Sequence, residues 1–258
     1  MDNSSLVEES QNSHSRALLI YFLFTALICG GLIMVIQVLG SRVIGPFFGV
    51  SLFIWTSLIS VTMIALALGY GIGGYIADRR NQADTLYGII FLAGVMVLLI
   101  PFYKLSVLYF SIPLGLRLGS FVSAALLFGP SLFLLGCVSP FLVKLAAREM
   151  NNLGRTVGGL YAISTFGSVI GTVLTGFVLI AYLGVNSIFH LVGTLLCLLG
   201  LSYYLFWRRR LFLLPIVIGL VFLPGMKSGQ MPSLVSDDGT RVTLVANHNS
   251  HYGNLKVV

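Results

Sequence analysis

Charge is what this sequence is short of. Only 9% of its 258 residues are Asp, Glu, Lys or Arg, whereas a soluble domain carries about 25%, and 57% are hydrophobic. A soluble fold of this size has too little polar surface to cover such a chain. Acids are the scarcest: Asp2, Glu8, Glu9, Asp78, Asp84, Glu149, Asp237 and Asp238 are all there are, and none lies inside an apolar run. Proton- and cation-coupled carriers keep a carboxylate within the membrane, because a group so costly to bury is retained only for work. The distribution therefore argues against coupled transport. Cysteine is sparse too. Cys29, Cys137 and Cys197 stand alone in separate apolar runs, without CxxC spacing or a ligand cluster, and read as small packing residues. No cofactor or metal site is implied. The first sixteen residues lack a basic n-region and a small-residue cleavage site, so no cleaved signal peptide is expected.

What is present is a series of apolar runs, several longer than the 18 or so residues that cross a hydrocarbon core of about 30 Å. The pattern predicts an all-α polytopic membrane bundle of six to seven transmembrane helices. Six are placed at Ala17 to Leu39, Leu52 to Ala77, Leu86 to Tyr103, Leu118 to Ala147, Val157 to Leu183, and Val185 to Trp207. A seventh, Leu211 to Gly225, reaches only about 22 Å, and Pro215 weakens its first turns; it spans a thinned bilayer or turns back as a re-entrant segment. Leu105 to Leu116 is also too short to cross and reads as an interfacial helix or loop. The net charge of +7 does not point to nucleic acid, because the basic residues gather at the ends of apolar runs, where topology and lipid headgroups account for them.

Basic residues accumulate on the cytoplasmic side of a membrane. One side holds Arg16, Arg79, Arg80, Lys144, Arg148, Arg155 and Arg208 to Arg210, and the other holds Arg42, Lys104, Arg117 and Lys227. Nine against four places the N-terminus in the cytoplasm, as in a protein of the inner-membrane type. The expected organisation is a polar N-terminus (1–16), a helical bundle (17–225) and an extramembrane tail (226–258), extracytoplasmic if the seventh segment spans. In the tail, Asp237-Asp238-Gly239 signals a turn, Arg241 to Ala246 alternates as a strand does, and Leu255 to Val258 begins another. A two-stranded ribbon is marginal alone, so a continuing chain or another subunit is expected to complete this β-hairpin.

Within the bundle, the second helix carries Ala65, Gly69, Gly73 and Ala77 at four-residue spacing, and the fifth carries Gly167 and Gly171 beside Ser164, Ser168, Thr172 and Gly176. Such rows let helices approach closely in lipid, where the hydrophobic effect gives no help. The two helices are expected to be tightly packed interior members of the bundle, or to line a substrate groove with small residues. Gln37 and His190 are polar groups inside predicted spans and read as making an interhelical hydrogen bond or a helix-end contact rather than binding a ligand. Trp207 reads as an interfacial anchor. Gly74, with Asp78, Arg79 and Arg80 after it, looks like the loop motif of the major facilitator transporters, in which the acid caps a neighbouring helix and pairs with a base. Six helices make about half of such a transporter.

Longer stretches carry a second resemblance. Gly40-Ser41-Arg42-Val43-Ile44-Gly45-Pro46, the run Ala67 to Tyr70 into Gly74 to Arg79, Leu135 to Phe141, and Gly154-Arg155 through Tyr161 to Ser168 resemble the membrane region of bacterial spermidine-synthase-like proteins, from about Leu18 to Val258. The resemblance implies that a helical membrane region precedes an aminopropyltransferase-like domain of Rossmann type, whose opening hairpin corresponds to Asn249 to Val258. Ser250 and Tyr252 would then lie at the substrate-binding edge. Gly253 stands where soluble members have a Gln near the donor nucleotide, and Gln37 where an acid is expected. The Gly-rich donor loop and the catalytic Asp of that domain have no counterpart in these residues. The expected role is to anchor or scaffold a catalytic domain or partner; an accessory subunit of a larger membrane complex and a half-transporter-like carrier are the alternatives.

Overall fold

The computed structural model describes residues 3–80, 82–149 and 153–205 and the strand segments 234–235, 241–242, 246–250 and 253–257, with side chains over 18–80, 82–147 and 154–205. Five apolar segments are long enough to cross a membrane: Leu18–Phe48, Leu52–Arg79, Ala83–Ala147, Gly154–Tyr182 and Val185–Tyr203. The third is 65 residues long and consists of two helices folded back on each other.

Helix α1 (Asn3–Phe48) runs 46 residues without a break. The sequence suggests an end near Leu39, because Gly40 and Pro46 are poor helix formers. The helix continues because Val43 and Ile44 are buried and the Ser41 hydroxyl donates to the Val38 carbonyl at 2.8 Å. It ends where Gly49 takes φ +79°, a conformation open to glycine, and the Gly49 N–H closes on the Gly45 carbonyl. Helix α2 (Leu52–Arg79) comes next. Helix α3 (Ala83–Ser111) passes through Pro101 and absorbs most of the stretch expected to form a separate interfacial element. Burial of Leu108 and Ser111 carries it onward. A 3₁₀ turn at Ile112–Leu114 and Gly115, at φ +76°, reverse the chain into α4 (Gly115–Glu149), and the Tyr103 hydroxyl reaches across to the Leu127 carbonyl.

Helix α5 (Leu153–Leu174) passes through a π turn at Thr175–Leu179 into α6 (Ile180–Tyr182), and α7 spans Val185–Tyr203. A π turn adds a residue to the helical ladder and so rotates α6 about the axis set by α5. Two short antiparallel pairs lie further along the chain: β1 (Leu234–Val235) with β2 (Arg241–Val242), and β3 (Ala246–Ser250) with β4 (Gly253–Val257). Leu211 to Gly225, Trp207 and Arg208 to Arg210 fall outside the described residues.

Among the described residues, three helix pairs bring backbone against backbone at glycine. In α1–α5, a Cβ on Gly167 would lie 2.1 Å from the Leu27 carbonyl oxygen, and one on Gly171 2.3 Å from that of Gly31. In α2–α4, Gly69 faces the Phe133 carbonyl and Gly73 the Cys137 backbone; in α3–α7, Gly94 and Gly193 face each other's segments. These distances are far inside the 3.5–4.0 Å of ordinary contact, so only glycine fits. The middle of the bundle, however, belongs to α1, which packs on α2, α4, α5 and α7, and to α4, which packs on α1, α2, α3 and α5. The expectation that the second and fifth helices are interior is corrected. The α5 segment is the least buried of the five, with 22% of its apolar stretch covered against 39% or more elsewhere. A row of small residues fixes how closely a helix approaches one neighbour, not how many neighbours it has.

Polar links reinforce the seams. The Tyr21 hydroxyl meets Ser202 Oγ at 2.6 Å, Thr25 Oγ1 meets the Tyr87 hydroxyl at 3.0 Å, and Tyr87 stacks on Tyr203 with centroids 4.4 Å apart. Together they tie α1, α3 and α7. Ser57 and Ser120 join α2 to α4 at 3.0 Å.

Candidate functional site

Because α2 and α5 each rest on a central helix rather than on each other, a groove is left between them, floored by α1 and α4. It has a volume of about 220 Å³. Leu66 and Tyr70 of α2 form one wall and Leu160, Tyr161, Ser164, Thr165 and Ser168 of α5 the other; Cys29, Gly30 and Met34 of α1 and Leu135, Ser139 and Leu142 of α4 lie beneath. Its length comes from helix rise: the eight steps from Leu160 to Ser168 make roughly 12 Å. A cavity of about 150 Å³ holds benzene, and drug-sized sites begin near 300 Å³. The groove is therefore matched to a small group or to part of a longer molecule.

Its polarity comes from hydroxyls alone. Ser168 Oγ donates to the Gly30 or the Ser164 carbonyl, each at 3.0 Å, so this serine serves the α1–α5 seam. Tyr70 and Tyr161 are half exposed and flank the mouth. Asp78, Asp84 and Glu149 lie at helix ends, and no Asp or Glu lies within the groove lining. Such a surface can hydrogen-bond a neutral polar group. It offers no carboxylate to pair with a cation, only hydroxyl oxygens and the Tyr70 and Tyr161 rings at the mouth.

The residues singled out in sequence disperse over the bundle. Gly69 and Gly73 lie in the α2–α4 seam and Gly167 and Gly171 in the α1–α5 seam, while Gly74 only grazes Pro140, 3.9 Å from where its Cβ would stand. Asp78 accepts a hydrogen bond from Lys144 of α4, the pairing that the loop motif suggests. With side chains 69% and 37% exposed, the pair contributes only about 0–1 kcal/mol. Arg79 lies over the Tyr75 ring at 4.5 Å. Gln37 is partly buried one turn before Ser41 on the same face of α1. Arg42 lines a second cavity, between α1 and α2. His190 Nδ1 donates to the Asn186 carbonyl at 2.8 Å, a bond within its own helix rather than between helices. Asn186 Oδ1 in turn accepts from Lys104. Ser250 pairs with Gly253 at the end of the second strand pair; Tyr252 lies outside the described residues.

All three cysteines are buried: Cys137 against Gly73, Cys197 against Gly94, and Cys29 under the groove. Among the described residues no group of three or more His, Cys, Asp or Glu side chains converges as a metal site would. The groove walls Tyr70 and Tyr161 were legible only as neighbours of glycine rows. Each is displaced around its helix from the small residues that seat it, which is what turns a tyrosine toward the gap. No protein-family model, curated protein or solved structure matches the chain.

Proposed function

We propose that this chain is the membrane-embedded region of a spermidine-synthase-like protein, a rigid platform that anchors or scaffolds a catalytic domain or partner beyond the bundle. The observation that carries this reading is the backbone-to-backbone closure of three helix pairs at glycine. Helices in such contact cannot slide past one another without opening voids, so the bundle holds one shape, as a platform must. In this reading the bundle crosses six times, with α3 and α4 counted separately, and Leu211 to Gly225 makes a seventh span. The N-terminus is cytoplasmic by the distribution of Lys and Arg. The β3–β4 pair is the opening hairpin of the extramembrane module, with Ser250 and Tyr252 at its substrate edge and an open strand edge for the module or another subunit to pair with.

The hydroxyl-lined groove favours a second reading, a half-transporter-like carrier for a small neutral solute. A polyamine is a poor fit, because the groove lining has no carboxylate. An affinity-tagged full chain, purified from its native membrane in mild detergent, separates the readings. The platform predicts a stable complex with an aminopropyltransferase-like polypeptide that is lost on deleting residues 226–258, and no solute flux in liposomes. A lone chain that supports flux would overturn it in favour of the carrier. A chain with neither a catalytic domain of its own nor a bound partner, and without flux, would overturn the anchoring role itself.

A further inference from the structure

The groove between α2 and α5 is lined by hydroxyls that the protein leaves unengaged. Elsewhere in the bundle Thr62, Ser111 and Thr172 turn their hydroxyls back one turn, onto the carbonyls of Leu58, Val107 and Ser168. Hydroxyls satisfy themselves in this way where lipid supplies no partner. Ser168 follows the pattern, but Tyr70, Ser139, Tyr161, Ser164 and Thr165 of the groove lining have no hydrogen-bond partner among the described residues. Nor are the two serines walled in. Ser51 and Ser123 are the serines whose unbonded oxygens are sealed inside the protein, whereas Ser139 and Ser164 keep theirs open to the groove. A hydroxyl left so within a membrane is costly unless something engages it.

Depth and access define what that something is. Tyr70 stands nine residues before Arg79, Ser139 ten before Glu149 and Ser164 nine after Arg155, so helix rise puts all three roughly 14–15 Å from the charged end of the bundle. That is near the middle of a hydrocarbon core of about 30 Å. The two walls pack on α1 and α4 and not on each other. Along the rims, Met63, two turns from Tyr70, and Val169, one turn from Thr165, are exposed, so the groove opens sideways onto acyl chains. Its occupant therefore arrives through the bilayer. It is neutral, because no charged side chain lines the groove and an unpaired charge at this depth is expensive. Phospholipids and acylglycerols keep their polar ends at the surface, too far away to meet these hydroxyls. A lipid-soluble quinone carries uncharged carbonyl oxygens into the hydrocarbon itself. A cavity of about 150 Å³ holds benzene, so about 220 Å³ accommodates one substituted ring.

We propose that the groove binds the ring of a lipid-soluble quinone. The ring carbonyls accept hydrogen bonds from the hydroxyls of Tyr70, Ser139 and Ser164, and the apolar tail leaves between α2 and α5. Such a site is independent of the platform reading, and its occupant differs from the water-soluble solute of the carrier reading.

The full chain in phosphatidylcholine vesicles is irradiated with an azido-benzoquinone bearing a decyl tail, and the modified residues are mapped by peptide mass spectrometry. Saturable labelling within 66–70, 135–143 or 160–168, the groove walls and floor, is expected, displaced by unlabelled decylbenzoquinone. Ser139→Ala and Ser164→Ala each remove an unbonded hydroxyl, so both should fold, and each should raise the half-saturating quinone about threefold to tenfold. Gly158→Ala, on an open face, should leave it unchanged. Labelling that spreads over the outer faces of α2 and α5 without saturating overturns the proposal, as does saturable labelling that both serine variants leave unaltered. Displacement by monoolein or by glucose, but not by decylbenzoquinone, overturns it in favour of an acylglycerol or of a water-soluble solute. Failure to isolate a catalytic partner, which tests the platform, does not alter this titration.

Discussion

Replacing Gly171 by alanine tests the glycine closure most directly. The added methyl would stand 2.3 Å from the Gly31 carbonyl oxygen and 2.8 Å from its Cα, both main-chain atoms that cannot rotate away. Relief requires α1 and α5 to separate by about 1 Å to reach ordinary contact. Overpacking of this kind costs about 1–3 kcal/mol. The movement also stretches the Ser168–Gly30 bond from 3.0 Å, which is worth about 0.6 kcal/mol within a membrane. Better helix propensity returns up to about 1 kcal/mol. The net loss is then about 0.6–3.6 kcal/mol. Gly158→Ala is the control, because nothing lies within 4 Å of its Cβ position; it should be neutral or stabilising by up to about 1 kcal/mol. The two variants are compared by titrating protein in mild detergent with dodecyl sulfate and monitoring reaction of the buried thiols. Cys29, beside Gly30 in this seam, reports the separation of α1 from α5. A Gly171→Ala protein as resistant as Gly158→Ala would refute the inference that these backbones touch.

The same geometry carries other expectations. Tyr21→Phe and Ser202→Ala should each lower stability by about 0.6 kcal/mol, and at most about 1.7, with the double variant no worse than either single one; additive losses in a double-mutant cycle would show that the two hydroxyls act separately. Asp78→Asn should shift stability by less than about 1 kcal/mol, because both partners are substantially exposed, and a loss above 2 kcal/mol would contradict that. The three native thiols, all buried, should resist maleimide until the protein is unfolded. Rapid labelling of the folded protein would show that the seams open. The same silence makes Ser236→Cys a clean reporter in intact cells: labelling by an impermeant reagent is expected if Leu211 to Gly225 spans, and protection would place the tail on the cytoplasmic side.

Several features were readable from composition and period because they depend on single segments. An apolar stretch longer than the hydrocarbon core satisfies its backbone only as a helix, so the helical class is set by hydropathy. A short motif at a helix end suggested that Asp78 pairs with a base, but only the fold shows that the base is Lys144. Helix limits were less so. Gly40 and Pro46 in α1 and Pro101 in α3 look like breaks, yet burial of Val43, Ile44 and Leu108 extends both helices past them. Local propensity is a weak prior where tertiary packing decides.

What the sequence by itself determined is the kind of solvent this chain folds in, the helices that solvent enforces, and the rows of glycine on which backbones can meet. The tertiary structure alone decided which rows meet. It paired α1 with α5, α2 with α4 and α3 with α7, put α1 and α4 at the centre, and thereby left the groove between α2 and α5. The reason is that a glycine row is equally able to receive any smooth helix face, and in lipid no hydrophobic penalty selects among them. The choice rests on carbonyls, hydroxyls and side-chain shapes that become neighbours only after the chain has turned back on itself.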